Sequence, residues 1–448
     1  MIRLDTLVLM GSFILALLPA SAGATDFAVT RTDDPAPNGC LPADCSLREA
    51  VLVANALPGT DRIVLPAGLY QLTIAGTAAD DAAVGDLDID DNVEVLGAGA
   101  DTTTILVVNN NRIFSASGHS LTLKKVTLAG GRADNGGAIL TGGPLIVEDS
   151  ILSGNQVTGS GGAIFGGASQ IVLRRAQLSN NTAATAGGAV YGGTGGVLVV
   201  DSTINDNVAS SLDGGGIASL GPTRVYRSVF ESNHAAFGGG GISCFAGLEV
   251  RESTLSGNHS DDTGGGIYSS YPLLIDRSTL SGNTAASSGG ALAVSDYGGG
   301  ERPSVVSSTL YLNTAPSGSA IYFFDPYPEW PEPELLNTVI SGTCATSGSR
   351  NFVAIFGNVE SPGNTCNLGA NSSHDVAAVN LKLGTLGDNG GPTPTHLPLA
   401  GSAVLGAGEN CASYDQRGYG LTSIAVCDSG SVSASAVDDA VFRYGFDF

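Results

Sequence analysis

A phrase of about 25 residues recurs eight times between residues 119 and 325: a short apolar run, Ser-x-Leu-x-x-Asn, a variable polar stretch, then Gly-Gly-Ala/Gly-Ile. The large apolar residue of its middle motif falls at Leu128, Leu152, Leu178, Ile204, Phe230, Leu255, Leu280 and Leu310, at spacings of 24, 26, 26, 26, 25, 25 and 30. Three residues on stand Asn155, Asn181, Asn207, Asn233, Asn258, Asn283 and Asn313, with Gly131 in that place in the first copy. Repeats in register over this length specify a solenoid, because each unit is too small to bury its own apolar face and must stack on the next. The Leu-x-x-Leu-x-Leu spacing of a leucine-rich repeat is missing. The apolar runs are short, β-branched and broken by glycine, with no helical period. Each copy is therefore predicted to form one coil of a parallel β-helix, with three short strands pairing to neighbouring coils at ~4.8 Å. Equivalent residues then stack in columns: Leu/Ile/Val inside, Asn at a bend where αL is tolerated and amides bond along the stack, and double glycines at a turn.

That architecture explains a composition that suits few ordinary folds, with 64 glycines in 448 residues and only 14% charged residues. The mean hydropathy of +0.19 argues against disorder, and the glycines lack the three-residue period of collagen. With 19 Lys+Arg against 42 Asp+Glu and a net charge of −23, a nucleic-acid or anionic-membrane partner would meet a repulsive field. One column is charged: Lys125, Asp149, Arg175, Asp201, Arg227, Glu252 and Arg277 alternate in sign. This pattern predicts a cross-strand ion ladder on the surface, a structural feature rather than a ligand track.

Residues 1–24 carry the pattern of a signal peptide, with Arg3, an apolar stretch from Leu7 to Leu18 and Ala22-Gly23-Ala24. The stretch is shorter than the ~20 residues of a membrane-spanning helix, and no later segment qualifies. Export suits the cysteines: Cys40 with Cys45, Cys344 with Cys366 and Cys411 with Cys427 are the economical disulfides, leaving Cys244 as a buried free thiol. A β-helix must also cover its open ends. Ser46 and Glu49 form a capping box that starts a short helix, whose Leu47, Val51 and Leu52 can lie over the first coil.

The chain also carries recognisable signatures. Cys45-Ser-Leu-Arg-Glu-Ala50, Gly85-Asp-Leu-Asp-Ile89 and Leu96-Gly-Ala-Gly99 resemble the bacterial CSLREA-domain proteins. Phe230-Glu-Ser-Asn233 and the Gly-Gly-Ala-Ile phrases are similar to the FxxN and GGAI repeats of polymorphic outer-membrane proteins, with Leu or Ile usually replacing Phe. Leu386 to His396, Gly401-Ser402 and Asp415-Gln-Arg-Gly418 resemble the C-terminal region of choice-of-anchor Q proteins. The resemblance implies an all-β, single-stranded right-handed parallel β-helix, secreted or displayed on the surface of a Gram-negative bacterium, with adhesin-like roles. Roughly 120 residues follow the last clear repeat, too few for a typical autotransporter barrel. The expected organisation is a signal peptide (1–24), an N-terminal helical cap with the CSLREA motif (25–60), the β-helix (61–345), an irregular C-terminal capping region (346–432) and a tail (433–448) whose Val441–Phe448 is aromatic.

The expected function is non-catalytic: a monomeric, adhesin-like or structural binding module contacting glycans or another cell-surface polymer. The alternative is a polysaccharide lyase or hydrolase acting on an acidic polysaccharide. Its candidate carboxylates are Asp213, Asp261 and Asp262, joined by Asp134; they precede the glycines of their coils and would share a flank. Asp80, Asp81, Asp86, Asp88, Asp90 and Asp91 form the densest acidic cluster, in which Asp86 and Asp88 are the candidates for Ca²⁺, although no calcium-loop motif is present. His234 and His259 follow the repeat Asn in adjacent coils and should stack, but two imidazoles without a third ligand are an incomplete metal set, so an exposed pair is expected.

Overall fold

A computed structural model describes residues 24–76, 82–295, 301–324, 331–348, 351–369, 376–378 and 380–437. Most of the proposed signal segment, Asp80, Asp81 and Val441–Phe448 lie outside the described residues. The protein is a right-handed parallel β-solenoid with one helix among the described residues. Along seven of the coils the chain visits four sheets in turn. In one repeat these are Leu145–Glu148 in the first sheet, Ile151–Ser153 in the second, Gln156–Val157 in the third and Ile164–Gly166 in the fourth. The sheets contain 13, 13, 7 and 11 strands respectively. Pairing joins equivalent positions of successive coils, as in Leu128↔Leu152↔Leu178↔Ile204, so the apolar columns fill a continuous buried interior. The third sheet corrects the three-strand coil expected above. Its strands are only two residues long, too short to leave a periodic signal.

Ser-x-Leu-x-x-Asn is a hydrogen-bonding device. Each ladder Asn is buried, and from Asn181 to Asn313 its Oδ1 accepts both the backbone N–H and an Nδ2–H of the Asn one coil earlier, while Asn155 Oδ1 accepts the Gly131 N–H. Asn181, for example, donates to Asn207 through both groups at 3.0 Å. The motif serine works in parallel: the Ser202 backbone N–H donates to Ser228 Oγ (3.0 Å), and that of Ser228 to Ser253 Oγ (3.1 Å). The left-handed residue at the Asn corner is the one before it, such as Asn180 (φ +56°) or Asp206 (φ +55°), not the Asn itself as expected. An inward side chain bonded along the stack needs ordinary backbone, and the bend is taken up one residue earlier. The charged column is corrected too. Lys125 through Arg277 occupy left-handed corners rather than strand positions (φ +43° to +56°), and each Arg turns to the acid one coil back: Arg175 to Asp149 (2.6 Å), Arg227 to Asp201 (2.7 Å), Arg277 to Glu252 (3.1 Å). In the glycine pair the first residue has positive φ (Gly187, +67°). The second is packed so closely that a Cβ on Gly188 would stand 2.1 Å from the Gly215 carbonyl oxygen.

At the N-terminus the helix Leu47–Asn55 carries both halves of the Ser46/Glu49 capping box, and Leu47 and Val51 join the core. Arg48 is fully buried, clamps Asp34 through Nε (2.7 Å) and Nη2 (3.1 Å), and donates to the carbonyls of Ala82 (2.8 Å) and Gly85 (3.0 Å). Disulfides join Cys40–Cys45, Cys344–Cys366 and Cys411–Cys427, and Cys244 is a buried thiol. Coil strands continue past residue 345, through Val353–Ala354, Val359–Ser361 and Val376–Ala377. The irregular chain beyond them runs back along the second sheet. Gln416 donates to Thr254 Oγ1 (3.0 Å), His396 Nε2 meets Ser281 Oγ (2.8 Å), and the Ser431 N–H donates to Thr309 Oγ1 (2.9 Å). That sheet is therefore covered over several coils, while the fourth keeps its half-buried aromatic column outward. Among the described residues no helix is long and apolar enough to cross a membrane.

Candidate functional site

The third-sheet strands His234–Ala235, His259–Ser260 and Thr284–Ala285 pair in register, so His234, His259 and Thr284 form one outward column. Each follows an inward ladder Asn, and strand alternation turns it out. The two imidazoles stack with centroids 5.2 Å apart and planes 24° from parallel. Two residues after His259, on the same side of the strand, Asp261 places Oδ1 3.0 Å from His259 Nε2 and Oδ2 3.1 Å from His234 Nε2. Burial pushes the Asp261 carboxyl up, but the bonds and charges of both imidazoles outweigh it and hold it below the usual carboxylate range. His259 Nδ1 meets Thr284 Oγ1 at 2.6 Å.

Around the glycine corner, Asp213 accepts from the backbone N–H of Gly238. Burial raises its carboxyl from the ordinary 3.8 to about 6, the Gly238 bond works against this, and the charge of Asp262 adds to the rise. A Cβ on Gly238 would stand 2.7 Å from Asp213 Oδ1 and 3.1 Å from the Tyr268 ring, so glycine there lets acid and ring come together. A raised carboxylate favours folding only while protonated: that contribution is complete below pH 3.8 and lost as pH rises through about 6. Asp213→Asn should therefore melt progressively higher than wild type as pH goes from 4 to 7; melting curves that stay parallel across that range would contradict the burial of this carboxyl.

Tyr268 belongs to the outward column of the fourth sheet, where Phe165, Tyr191, Ala218, Ser243 and Tyr268 follow one another coil by coil. Phe165 and Tyr191 stack at 4.9 Å with planes 7° from parallel, and Phe245 packs edge-on to Tyr268 at 6.2 Å. Ala218 and Ser243 between them are small and buried, and Tyr191 and Tyr268 stand three coil steps, about 14 Å, apart. In this column the buried Ser243 Oγ has no hydrogen-bond partner among the described residues.

The sequence grouped Asp134, Asp213, Asp261 and Asp262 on one flank. The structure brings the last three to one corner and leaves Asp134 bonded to Thr158 Oγ1 (3.2 Å), beside a groove of about 750 Å³ that also holds Asp86. Asp86 pairs with Arg112 (2.8 Å), and Asp88 is buried in a strand. Among the described residues, His234, His259 and Asp261 are the side chains that converge as three metal-type donors. The union of Asp261 with the histidines was missed in the sequence, although His259-Ser260-Asp261 has the two-residue spacing that puts both side chains on one face of a strand.

Residues 149–167 and 252–270 match the repeat described as Chlamydia polymorphic membrane protein repeat. No curated protein matches the chain. Among solved structures, the A-module of a mannuronan C-5 epimerase from Azotobacter vinelandii is similar at 15% identity and a TM-score of 0.40, covering 74% of this chain and 97% of that one. A pectate lyase is similar at 14% identity and a TM-score of 0.39, covering 92% and 97%. A rhamnogalacturonan lyase is similar at 11% identity and a TM-score of 0.33, covering 85% and 97%.

Proposed function

We propose that the protein is exported and acts at or beyond the bacterial outer surface as a rigid, adhesin-like module that binds a repetitive glycan along the fourth sheet. The observation that carries this reading is the aromatic column: the stacked Phe165–Tyr191 pair and Tyr268 lie on the outer face of a sheet away from the C-terminal segment. Sugar rings offer alternating apolar faces and hydroxyl edges, and aromatic side chains at a wet surface suit the first while the half-buried Asp213 suits the second. A coil repeat of ~4.8 Å sets these groups at regular intervals along one axis, the arrangement a repetitive polymer needs. Three disulfides and an N-terminal leader pattern fit an oxidising, extracellular setting. Ca²⁺ enters as a bridge to an acidic polymer rather than as a resident ion.

The test is retention on immobilised neutral and uronate polysaccharides, with and without Ca²⁺. Tyr191→Ala with Tyr268→Ala should weaken binding to the retained polymer about tenfold or more, from ~0.5–1.5 kcal/mol per aromatic contact beyond area burial. The melting temperature should stay near that of wild type, because both rings face outward. Equal retention by the double variant sinks the reading.

The acid at Asp213 favours a second reading, a carbohydrate-active enzyme working on an acidic polysaccharide. A carboxyl raised to about 6 beside Tyr268 is poised to exchange a proton near neutral pH. Shortening of a uronate polymer by wild type but not by Asp213→Asn would establish it; binding without turnover would leave the first.

A further inference from the structure

We infer that His234, His259 and Asp261 form a three-ligand site for a borderline divalent transition-metal ion such as Zn²⁺, with a remaining position open to water. The donor set is two imidazole nitrogens and one carboxylate, the chemistry Zn²⁺ takes in sites that keep an open position. The donor atoms lie within 4.8 Å of one another. Tetrahedral ligation at ~2.0–2.1 Å needs donors roughly 3.3 Å apart. The His–Asp separations of 3.0 and 3.1 Å run to the two different oxygens of Asp261, so a set of one carboxylate oxygen and two imidazole nitrogens, now within 4.8 Å, must close by up to ~1.5 Å to reach that spacing.

Three observations separate this cluster from an ordinary surface pair. His234 Nε2 is shielded from water, and its contact with Asp261 Oδ2 at 3.1 Å is poorly aligned for a hydrogen bond. A nitrogen shielded from water with only a misaligned contact keeps part of a desolvation cost that a metal ion removes. Second, the contact of His259 Nδ1 with Thr284 Oγ1 orients the ring: when a metal ion replaces the proton between Nε2 and Asp261, Nδ1–H donates to the hydroxyl, the second-shell arrangement of metal-bound histidines. Third, among the described residues Asp261 has no Lys or Arg partner, so its charge is free to meet a cation, and Asp262 and Asp213 add negative charge at the same corner. The two histidines sit on adjacent, in-register strands, so the backbone pays little to bring them together.

This inference does not depend on the glycan reading. Tag-free, chelator-treated protein should bind one equivalent of Zn²⁺ with micromolar or tighter affinity. Co²⁺ at the same site should give the visible absorption of a nitrogen- and oxygen-ligated ion. His259→Ala and Asp261→Ala should each weaken Zn²⁺ binding by about 100-fold or more, and Thr284→Val, which leaves every ligand in place, by about 10-fold. Circular dichroism establishes that each variant is folded, and Thr284→Val keeps the test alive should a ligand variant fail. Zn²⁺ affinity unchanged in the His234→Ala, His259→Ala double variant, or wild-type binding no tighter than millimolar, would overturn the site. Zn²⁺ binding without polysaccharide retention would leave the site standing while the glycan reading fell.

Discussion

Arg48→Ala is expected to destabilise the N-terminal end of the solenoid by about 3–5 kcal/mol, the cost of breaking a buried ion pair from one side. The guanidinium is fully buried and holds Asp34 with two bonds while capping the Ala82 and Gly85 carbonyls. Asp34 in turn accepts from the backbone N–H groups of Thr73 (2.8 Å) and Ile74 (3.0 Å). Removing Arg48 strands a carboxylate and two carbonyls at the junction of helix, first coils and the 82–86 loop. Because the charge left behind is the main penalty, Asp34→Leu combined with Arg48→Met should recover much of the loss. Hydrogen exchange of the Leu47–Asn55 helix, read beside urea unfolding, reports the effect locally, since a solenoid need not unfold in one step. A loss below about 1 kcal/mol would mean the pair is not an anchor.

Asn207→Ala should be nearly as costly. Asn207 Oδ1 receives the Asn181 backbone N–H and Nδ2–H, and its own amide donates to the carbonyls of Leu178 (3.0 Å) and Asn205 (2.9 Å) and to Asn233 Oδ1 (2.9 Å). The substitution strands two buried donors of Asn181, at about 1–3 kcal/mol each, with no room for water in a column where every neighbour is buried. A mid-solenoid loss of about 3 kcal/mol or more is expected, with exchange protection falling first in the coils on either side. Asn207→Leu should do no better, since apolar bulk restores none of the bonds. Unchanged protection at residues 178–233 would show the ladder to be decoration.

What the sequence revealed followed the range over which its signals act. Column positions such as Leu152, Leu178 and Ile204 are legible because every coil repeats the same burial, and Ser46 with Glu49 because a capping box is complete within four residues. The cysteine pairs lie within 22 residues of each other. The missed features are two-residue or distant ones. The third sheet has strands too short for a period, and the corner at Asp149 or Arg175 looks in sequence like a strand end, its left-handed turn invisible in a charged residue. Arg48 with Asp34 is a tertiary pairing inside a motif that reads as helix. The return of the C-terminal chain over the second sheet rests on single contacts such as Gln416 with Thr254, 162 residues apart and outside any repeat. The metal-type cluster was half legible: the register of the Asn column places His234 beside His259, but the side on which the turn delivers Asp261 emerges only in three dimensions.

On the proposed function, the fourth sheet, with its aromatic column and the Asp213 corner, is the face that meets a polymer. Hydroxyl-radical footprinting of the protein with and without the polysaccharide it retains tests this directly. Protection concentrated on Phe165, Tyr191 and Tyr268, with the first-sheet groove around Arg224, Arg251 and Arg302 unchanged, is the predicted result; protection of that groove with the aromatic column left reactive would contradict it.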